Sequence, residues 1–170
     1  RDVLKGERLA LNLMQRMSGI ATMTRKYADQ LEGTGTRIVD TRKTTPGLRE
    51  LEKYAVRMGG GFNHRFNLSD GVMLKDNHIE AAGGITDAVA KVRANLSHMT
   101  KIEVEVENLE QFEEAMAAGA EVILLDNMDT KTMAKAVEMK RGDVILEASG
   151  NITLERLAEI AAAGVDIISS

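Results

Sequence analysis

The feature that most restricts the fold is a change of hydrophobic rhythm along the chain. After one long helical stretch, short aliphatic runs alternate with longer amphipathic ones. The strand-like runs lie at residues 36–40, 72–75, 101–107, 121–126, 144–147 and 165–169. Helical patterns cover residues 48–58, 86–96, 109–118, 130–139 and 153–163. The first helix runs from about residue 7 to 30, with Leu9, Leu13, Met17 and Ile20 at helical spacing. Such alternation implies parallel strands joined by right-handed crossovers. Repeats of roughly 20–30 residues suit a (β/α) barrel, and no G-x-G-x-x-G follows the first strand as a Rossmann sheet would require. An open doubly wound sheet is the second choice. Six strands fall short of a closed eight, so the expectation is an α/β fold, an open or incomplete TIM-like barrel.

With 170 residues the chain suffices for one domain, residues 1–170. It opens on Arg1 without an initiator methionine and stops as a strand reaches Ser169-Ser170, which reads as a piece of a longer protein. A net charge of −4 opposes non-specific nucleic-acid binding, which needs a positive face. No apolar run approaches the roughly 20 residues that span a bilayer. The absence of cysteine removes disulfides and thiolate zinc sites and agrees with a cytoplasmic setting. The three histidines lack zinc spacing, and the ten methionines read as core filler.

Ligands of parallel barrels bind where strands finish. Here those positions carry Thr41-Arg42-Lys43, Lys75-Asp76-Asn77-His78, Glu105 and Glu107, Asp126-Asn127, Glu147-Ala148-Ser149-Gly150 and Ser169-Ser170. Period-two alternation in residues 101–107 puts Ile102, Val104 and Val106 on one face and Glu103, Glu105 and Glu107 on the other. Carboxylates aimed into a barrel need cations such as Lys75, in a structural ladder, or a metal. Asp126, ending the next strand, favours a hard-cation site with Glu105, suited to Mg²⁺. Arg42, Lys43, His64, Arg65 and Lys75 supply positive charge for a multiply anionic substrate. His64 taken alone reads as a solvated loop residue. Glu147-Ala148-Ser149-Gly150, followed by Asn151 and a helix that Thr153 would cap, resembles a phosphate cradle. Gly59-Gly60-Gly61 and residues 62–71 form the one long irregular connection, a place where function concentrates.

At these residues the chain resembles the quinolinate phosphoribosyltransferases. The matching stretches include Gly6-Glu7-Arg8-Leu9-Ala10-Leu11-Asn12, Thr41-Arg42-Lys43-Thr44-Thr45-Pro46-Gly47, Asn63-His64-Arg65, Lys75-Asp76-Asn77-His78, Glu103-Val104-Glu105-Val106-Glu107, Leu125-Asp126-Asn127 and Glu147-Ala148-Ser149-Gly150. The resemblance covers the whole chain and implies a type II phosphoribosyltransferase barrel. It also implies an N-terminal α/β domain and a last phosphate loop outside this stretch. The implied reaction transfers phosphoribosyl from phosphoribosyl pyrophosphate to quinolinate with decarboxylation, giving nicotinate mononucleotide for NAD biosynthesis. By this likeness Arg42, His64, Arg65 and Lys75 hold the quinolinate carboxylates and the pyrophosphate, and Thr41 and Lys43 line the pocket. Glu105 and Asp126 bind Mg²⁺ and the ribose hydroxyls, while Ser149, Gly150 and Asn151, with Ser170 at the last strand end, complete the substrate site. Lys43, Lys75, Glu105 and Asp126 are the implied catalytic set. The family likeness further implies a homodimer in which Arg8 enters the partner's site. Rival readings are a related enzyme using another ring acid, a phosphate-binding lyase or isomerase, and a non-catalytic barrel.

Overall fold

A computed structural model describes residues 2–170; Arg1 lies outside the described residues. Helix α1 (Asp2–Gln30) leads into β1 (Arg37–Val39), α2 (Arg49–Met58), β2 (Val72–Leu74), α3 (Asp76–Ala82) and α4 (Ile85–Arg93). There follow β3 (Ile102–Val106), α5 (Leu109–Ala117), β4 (Val122–Asp126), α6 (Thr130–Met139), β5 (Ile145–Ser149), α7 (Leu154–Ala162) and β6 (Ile167–Ser169). The six strands form one sheet in the order β1-β6-β5-β4-β3-β2, and every ladder in it is parallel.

This order makes β1 and β2 the two edges. Yet Asp40 (just after β1), Met73, Glu105, Leu124, Glu147 and Ser169, which between them represent all six strands, line one cavity. A flat sheet cannot do this, so the sheet curls into a barrel that stays open along a seam between β1 and β2. The expected incomplete TIM-like barrel is the fold observed.

The seam is filled by the irregular connection after α2. Phe62 forms an isolated parallel bridge with Val39, donating its N–H to the Ile38 carbonyl (2.9 Å) while its own carbonyl accepts from Asp40 (3.1 Å). The Arg37 guanidinium lies 5.1 Å from the Phe62 ring centre. Gly61 lets the connection pass against α1, since a Cβ there would sit 2.8 Å from the Thr24 methyl.

The core lies between the barrel wall and the helices. Ile102, Val104, Val106, Ile123, Leu125, Leu146, Ala148 and Ile168 are fully enclosed, as are Phe112 on α5 and Leu157 and Ile160 on α7. Each large side chain of this set contributes roughly 1.5–3 kcal/mol relative to exposure. The helix α1 stands apart: no described residue of it is buried, and Val3, Leu4, Leu9 and Met14 are all exposed. Among the described residues no helix is long and apolar enough to cross a membrane.

Several expectations need correction. The stretch after Lys75 is the helix α3, too short for a periodicity window and opened by polar residues that read as loop. Its first turn is tied by the His78 ring, whose Nδ1 accepts the Lys75 N–H at 3.1 Å. Strand β5 continues to Ser149, because its partner β4 keeps pairing as far as Asp126↔Ser149. Thr153 holds the N-cap position of α7 with extended backbone, but its hydroxyl makes no cap hydrogen bond. Asn108 and Asp129 do cap, accepting from Gln111 and Thr132 at 2.9 and 2.8 Å. Core filler describes Met128 and Met133, whereas Met14, Met23, Met58 and Met99 are exposed.

Candidate functional site at the barrel mouth

The cavity at the C-terminal ends of the strands has a volume of about 130 Å³. Its wall includes Thr41, Arg42, Lys43, His64, Arg65, Lys75, Glu105 and Ser149, all expected site residues. Arg42 and Lys75 thus reach one cavity although they follow the two edge strands. Curling of the sheet makes that possible.

Other expected residues lie elsewhere. Ser170 faces a different cavity with Met23, Tyr27 and Val56, because alternation along β6 turns Ser169 inward and Ser170 outward. Arg8 is exposed on α1, away from this cavity's wall. Asp126 is two residues beyond Leu124, the register partner of Glu105, and so stands about 6.6 Å higher up the barrel. It is half-buried, accepts the Asn127 side-chain amide at 2.8 Å and does not line the cavity. Gly150 and Asn151 are also outside the wall. With a φ of +89°, Gly150 packs against Asn127 so closely that a Cβ would overlap it, and Asn151 donates to the Asn127 side-chain oxygen at 3.0 Å.

Helix α2 builds one side of the mouth. Its residues 49, 52 and 53 share a face through the i, i+3, i+4 spacing. Arg49 donates to the Thr44 hydroxyl (3.0 Å), the Arg42 carbonyl (3.0 Å) and the Phe66 carbonyl (3.2 Å). Glu52 accepts from Arg16 of α1 (2.7 Å) and from the Thr45 N–H (3.0 Å). Burial alone would raise its carboxyl pKa, but the Thr45 and Arg16 hydrogen bonds outweigh that and hold it below the ordinary carboxylate value. Lys53, 1% exposed, pairs with Asp40 at 2.5 Å. These side chains hold the loop that carries Thr41, Arg42 and Lys43.

The floor of the cavity is charged. His64 Nε2 lies 3.4 Å from a Glu103 oxygen and 3.3 Å from a Glu147 oxygen, with the two glutamates on β3 and β5. Hydrogen bonds to Glu103 and Glu147 raise the imidazole pKa to about 9, against the opposing effect of burial. Burial raises the Glu103 carboxyl, offset in part by the hydrogen bond from His64. Nδ1 accepts the Arg65 N–H at 2.7 Å, which opposes a second ring proton. In this arrangement the ring carries a proton on Nε2, facing the two carboxylates; they favour a second ring proton, and taking it up on Nδ1 requires the Arg65 amide to turn away. The three side chains also have the makings of a cation site, since their ligand atoms lie within 4.8 Å of one another. A metal there would have to displace the Nε2 proton that the two carboxylates share.

Below this floor a second cavity of about 360 Å³ opens at the other end of the strands, lined by Val72, Lys101, Glu103, Val122 and Ile167. His64, Arg65 and Glu147 border both cavities. The Nε of Arg65 and Oε1 of Glu103 are buried without a hydrogen-bond partner among the described residues. Higher up, Lys75 pairs with Glu105 at 2.6 Å, the inward contact that the alternation implies. Glu107 breaks the expected row: it lies past the end of β3 and is exposed.

A family model described as quinolinate phosphoribosyl transferase, C-terminal domain, matches residues 20–170. The chain belongs to this family. It is 58% identical over 172 residues to a probable carboxylating nicotinate-nucleotide pyrophosphorylase of Synechocystis, covering 99% of this chain and 58% of the relative. A Bacillus subtilis protein of the same description is 54% identical, with 98% and 58% covered. Each relative therefore extends well beyond the matched span. The crystal structure of NadC from Streptococcus pyogenes superposes with a TM-score of 0.94 at 48% identity, covering all of this chain and 60% of that one. A Pyrococcus furiosus nicotinate-nucleotide pyrophosphorylase, 18% identical with a TM-score of 0.70, shares the fold.

Within this family barrel, the sequence reading missed the residues that position others. Lys53 and Glu52 look like polar residues of an amphipathic helix, and only packing shows them to be buried. Glu147 reads as part of a phosphate cradle, yet it lies beneath the mouth at 2% exposure. The strand alternation that turned Glu103 inward carried a usable signal for Glu147 as well, two residues before Ser149. His64 is no solvated loop residue, because the seam folds it between two carboxylates.

Proposed function

We propose that the protein containing this chain transfers phosphoribosyl from phosphoribosyl pyrophosphate to quinolinate and releases pyrophosphate and CO2, forming nicotinate mononucleotide. The observation that carries this reading is the meeting of Arg42, Lys43, His64, Arg65 and Lys75 on one cavity. So many cations at one mouth call for a ligand with several anionic groups. The buried Nε–H of Arg65 is a donor such a ligand can satisfy. In this scheme Arg42 and Arg65 clamp the quinolinate carboxylates, with His64 beneath them on the cavity floor, and turn the ring nitrogen toward the anomeric carbon. The bond from that carbon to the pyrophosphate oxygen breaks, and its electron pair leaves with pyrophosphate. The nitrogen lone pair forms the new bond. Lys43 and Lys75 balance the leaving group, while Glu105 and Asp126 stabilise positive charge on the ribose. The C–C bond to the carboxylate beside the ring nitrogen then breaks and CO2 leaves; the electron pair stays on the ring carbon, stabilised by the now cationic nitrogen, and takes up a proton from solvent.

Glu105 and Asp126, with Ser149, Gly150 and Asn151 toward the 5′-phosphate, are the carboxylates and small residues that suit Mg²⁺ and a phosphorylated sugar. Mg²⁺ commonly takes one or two carboxylates plus phosphate oxygens, which fits this donor set. When bound it would neutralise pyrophosphate charge. The exposed apolar residues of α1 suit a homodimer interface, with Arg8 on that helix serving the partner's site. A cytoplasmic enzyme of NAD biosynthesis accords with a cysteine-free chain.

The test is calorimetry of the full-length gene product with quinolinate, with and without phosphoribosyl pyrophosphate and Mg²⁺, alongside detection of nicotinate mononucleotide. Quinolinate binding with turnover is the expected result. Equal use of nicotinate would move the reading to another ring acid, and no phosphoribosyl pyrophosphate binding would leave a non-catalytic barrel.

A further inference from the structure

Lys53 is a fully buried cation that no step above uses. Its Nζ meets Asp40 Oδ1 at 2.5 Å and the His64 carbonyl at 3.2 Å. Asp40 accepts in addition the His64 N–H (2.8 Å) and the Asn63 side-chain amide (2.6 Å). That amide also donates to the Lys53 carbonyl at 2.9 Å. The contacts close a ring joining α2, the end of β1 and residues 63 and 64.

The ring sits at the seam. Elsewhere around the barrel, backbone ladders set the height and direction of inward side chains. The segment bearing His64 and Arg65 has only the Val39–Phe62 bridge to β1, and on the β2 side Arg65 reaches the Gly71 carbonyl through its side chain at 3.0 Å. We propose that Lys53 is a positioning residue: with Asp40 it takes the place of the missing β1–β2 ladder and holds His64 and Arg65 toward the cavity. Its functional half rests on the reading of that cavity as a quinolinate site. Burying an ammonium is costly, and an apolar pair of like size often serves stability as well or better. A lysine here is explained by the geometry it imposes on the backbone of residue 64, which an apolar side chain cannot hydrogen-bond.

Three full-length proteins decide the matter: wild type, Lys53→Met, and the double variant Asp40→Asn/Lys53→Met. Lys53→Met leaves the Asp40 carboxylate buried and unpaired, whereas the double variant removes both charges. The readouts are melting temperature, hydrogen exchange of the amides at 62–65, and quinolinate affinity by calorimetry. The expected result is that the double variant recovers the wild-type melting temperature, yet still exchanges faster at 62–65 and binds quinolinate about tenfold or more weakly, the scale of a lost charge-assisted contact. The double variant removes one positive and one negative charge from adjacent atoms, so the net charge beside the anion site is unchanged and weaker binding is not a net-charge effect. Should exchange protection and affinity return together with the melting temperature, Lys53 is merely a stabilising ion-pair partner and the inference is overturned. Wild-type exchange at 62–65 in either variant overturns it as well. If Lys53→Met does not fold, the double variant alone carries the comparison. If wild type itself fails to bind quinolinate, the proposed function falls, and the exchange data still decide the role of Lys53.

Discussion

The β3–β4–β5 wall and the β1–β2 seam do opposite jobs by opposite means. The wall has five-residue strands in continuous ladders, with outer faces packed fully dry against the helices. It carries the carboxylates Glu103, Glu105 and Glu147. The seam lies between three-residue edge strands and is held by side-chain hydrogen bonds from Arg49, Glu52, Lys53 and Asp40. It carries Arg42, Lys43, His64 and Arg65. Carboxylates can be held on a rigid wall because inward alternation delivers them directly. The cations of the seam sit on loops, and those loops are held by a scaffold of their own.

Leu146, enclosed on β5, belongs to the wall. Leu146→Ala should cost about 2–5 kcal/mol of stability in urea denaturation, while the protein that remains folded binds quinolinate normally. Arg49→Ala, in the seam, should reverse that balance. Loss of its three hydrogen bonds costs about 1–3 kcal/mol at a half-buried position, but loosening the Arg42 loop lowers quinolinate affinity about tenfold. If Arg49→Ala were as destabilising as Leu146→Ala and bound ligand normally, the division between wall and seam would fail.

Lys75 tests the point where the two regions touch, since it pairs with Glu105 of the wall from the end of β2. The lysine side chain is 46% exposed, so the pair contributes little to stability. Lys75→Ala is expected to leave the melting temperature nearly unchanged and to weaken binding of anionic substrate by about 1.5–3 kcal/mol in titration. A large fall in melting temperature with normal binding would make Lys75 a structural partner of Glu105.

The smallest effect concerns pH. The folded His64 pKa of about 9 lies above its ordinary 6.5. The stabilisation from this raised pKa is therefore fully present below pH 6.5 and is lost as pH rises through 9. Glu103, raised by burial, works in the same direction, since deprotonating it in the fold is disfavoured. Melting temperature should decline between pH 6.5 and 9 in wild type and decline less in His64→Gln. Equal slopes in the two proteins would show that His64 is not the imidazolium wedged between the wall's carboxylates.

What was legible in the chain followed from local periodicity. Alternation of rhythm led to a parallel barrel, and period two along β3 turned Glu103 and Glu105 inward and Ile102, Val104 and Val106 outward, where they are now found. Thr41, Arg42, Lys43, Lys75, Glu105 and Ser149 line the mouth, because there motif and strand end coincide, whereas Arg8, Asp126, Gly150 and Asn151, from the same motifs, lie outside its wall. The seven residues of α3 hold too little periodic signal to show a helix, and Ser170, expected at the site by family likeness, is turned away from it by the alternation of β6.

The order of elements, the faces of the strands and the chemical types at their ends are properties of neighbouring residues and can be read from the chain. Which distant groups meet depends on how the chain packs. Curling of the sheet brought Arg42 and Lys75 from opposite edges to one cavity. The open seam put His64 between Glu103 and Glu147, and packing of α2 buried Lys53 against Asp40. These contacts depend on how the sheet closes, a long-range outcome of the whole barrel that no local spacing encodes.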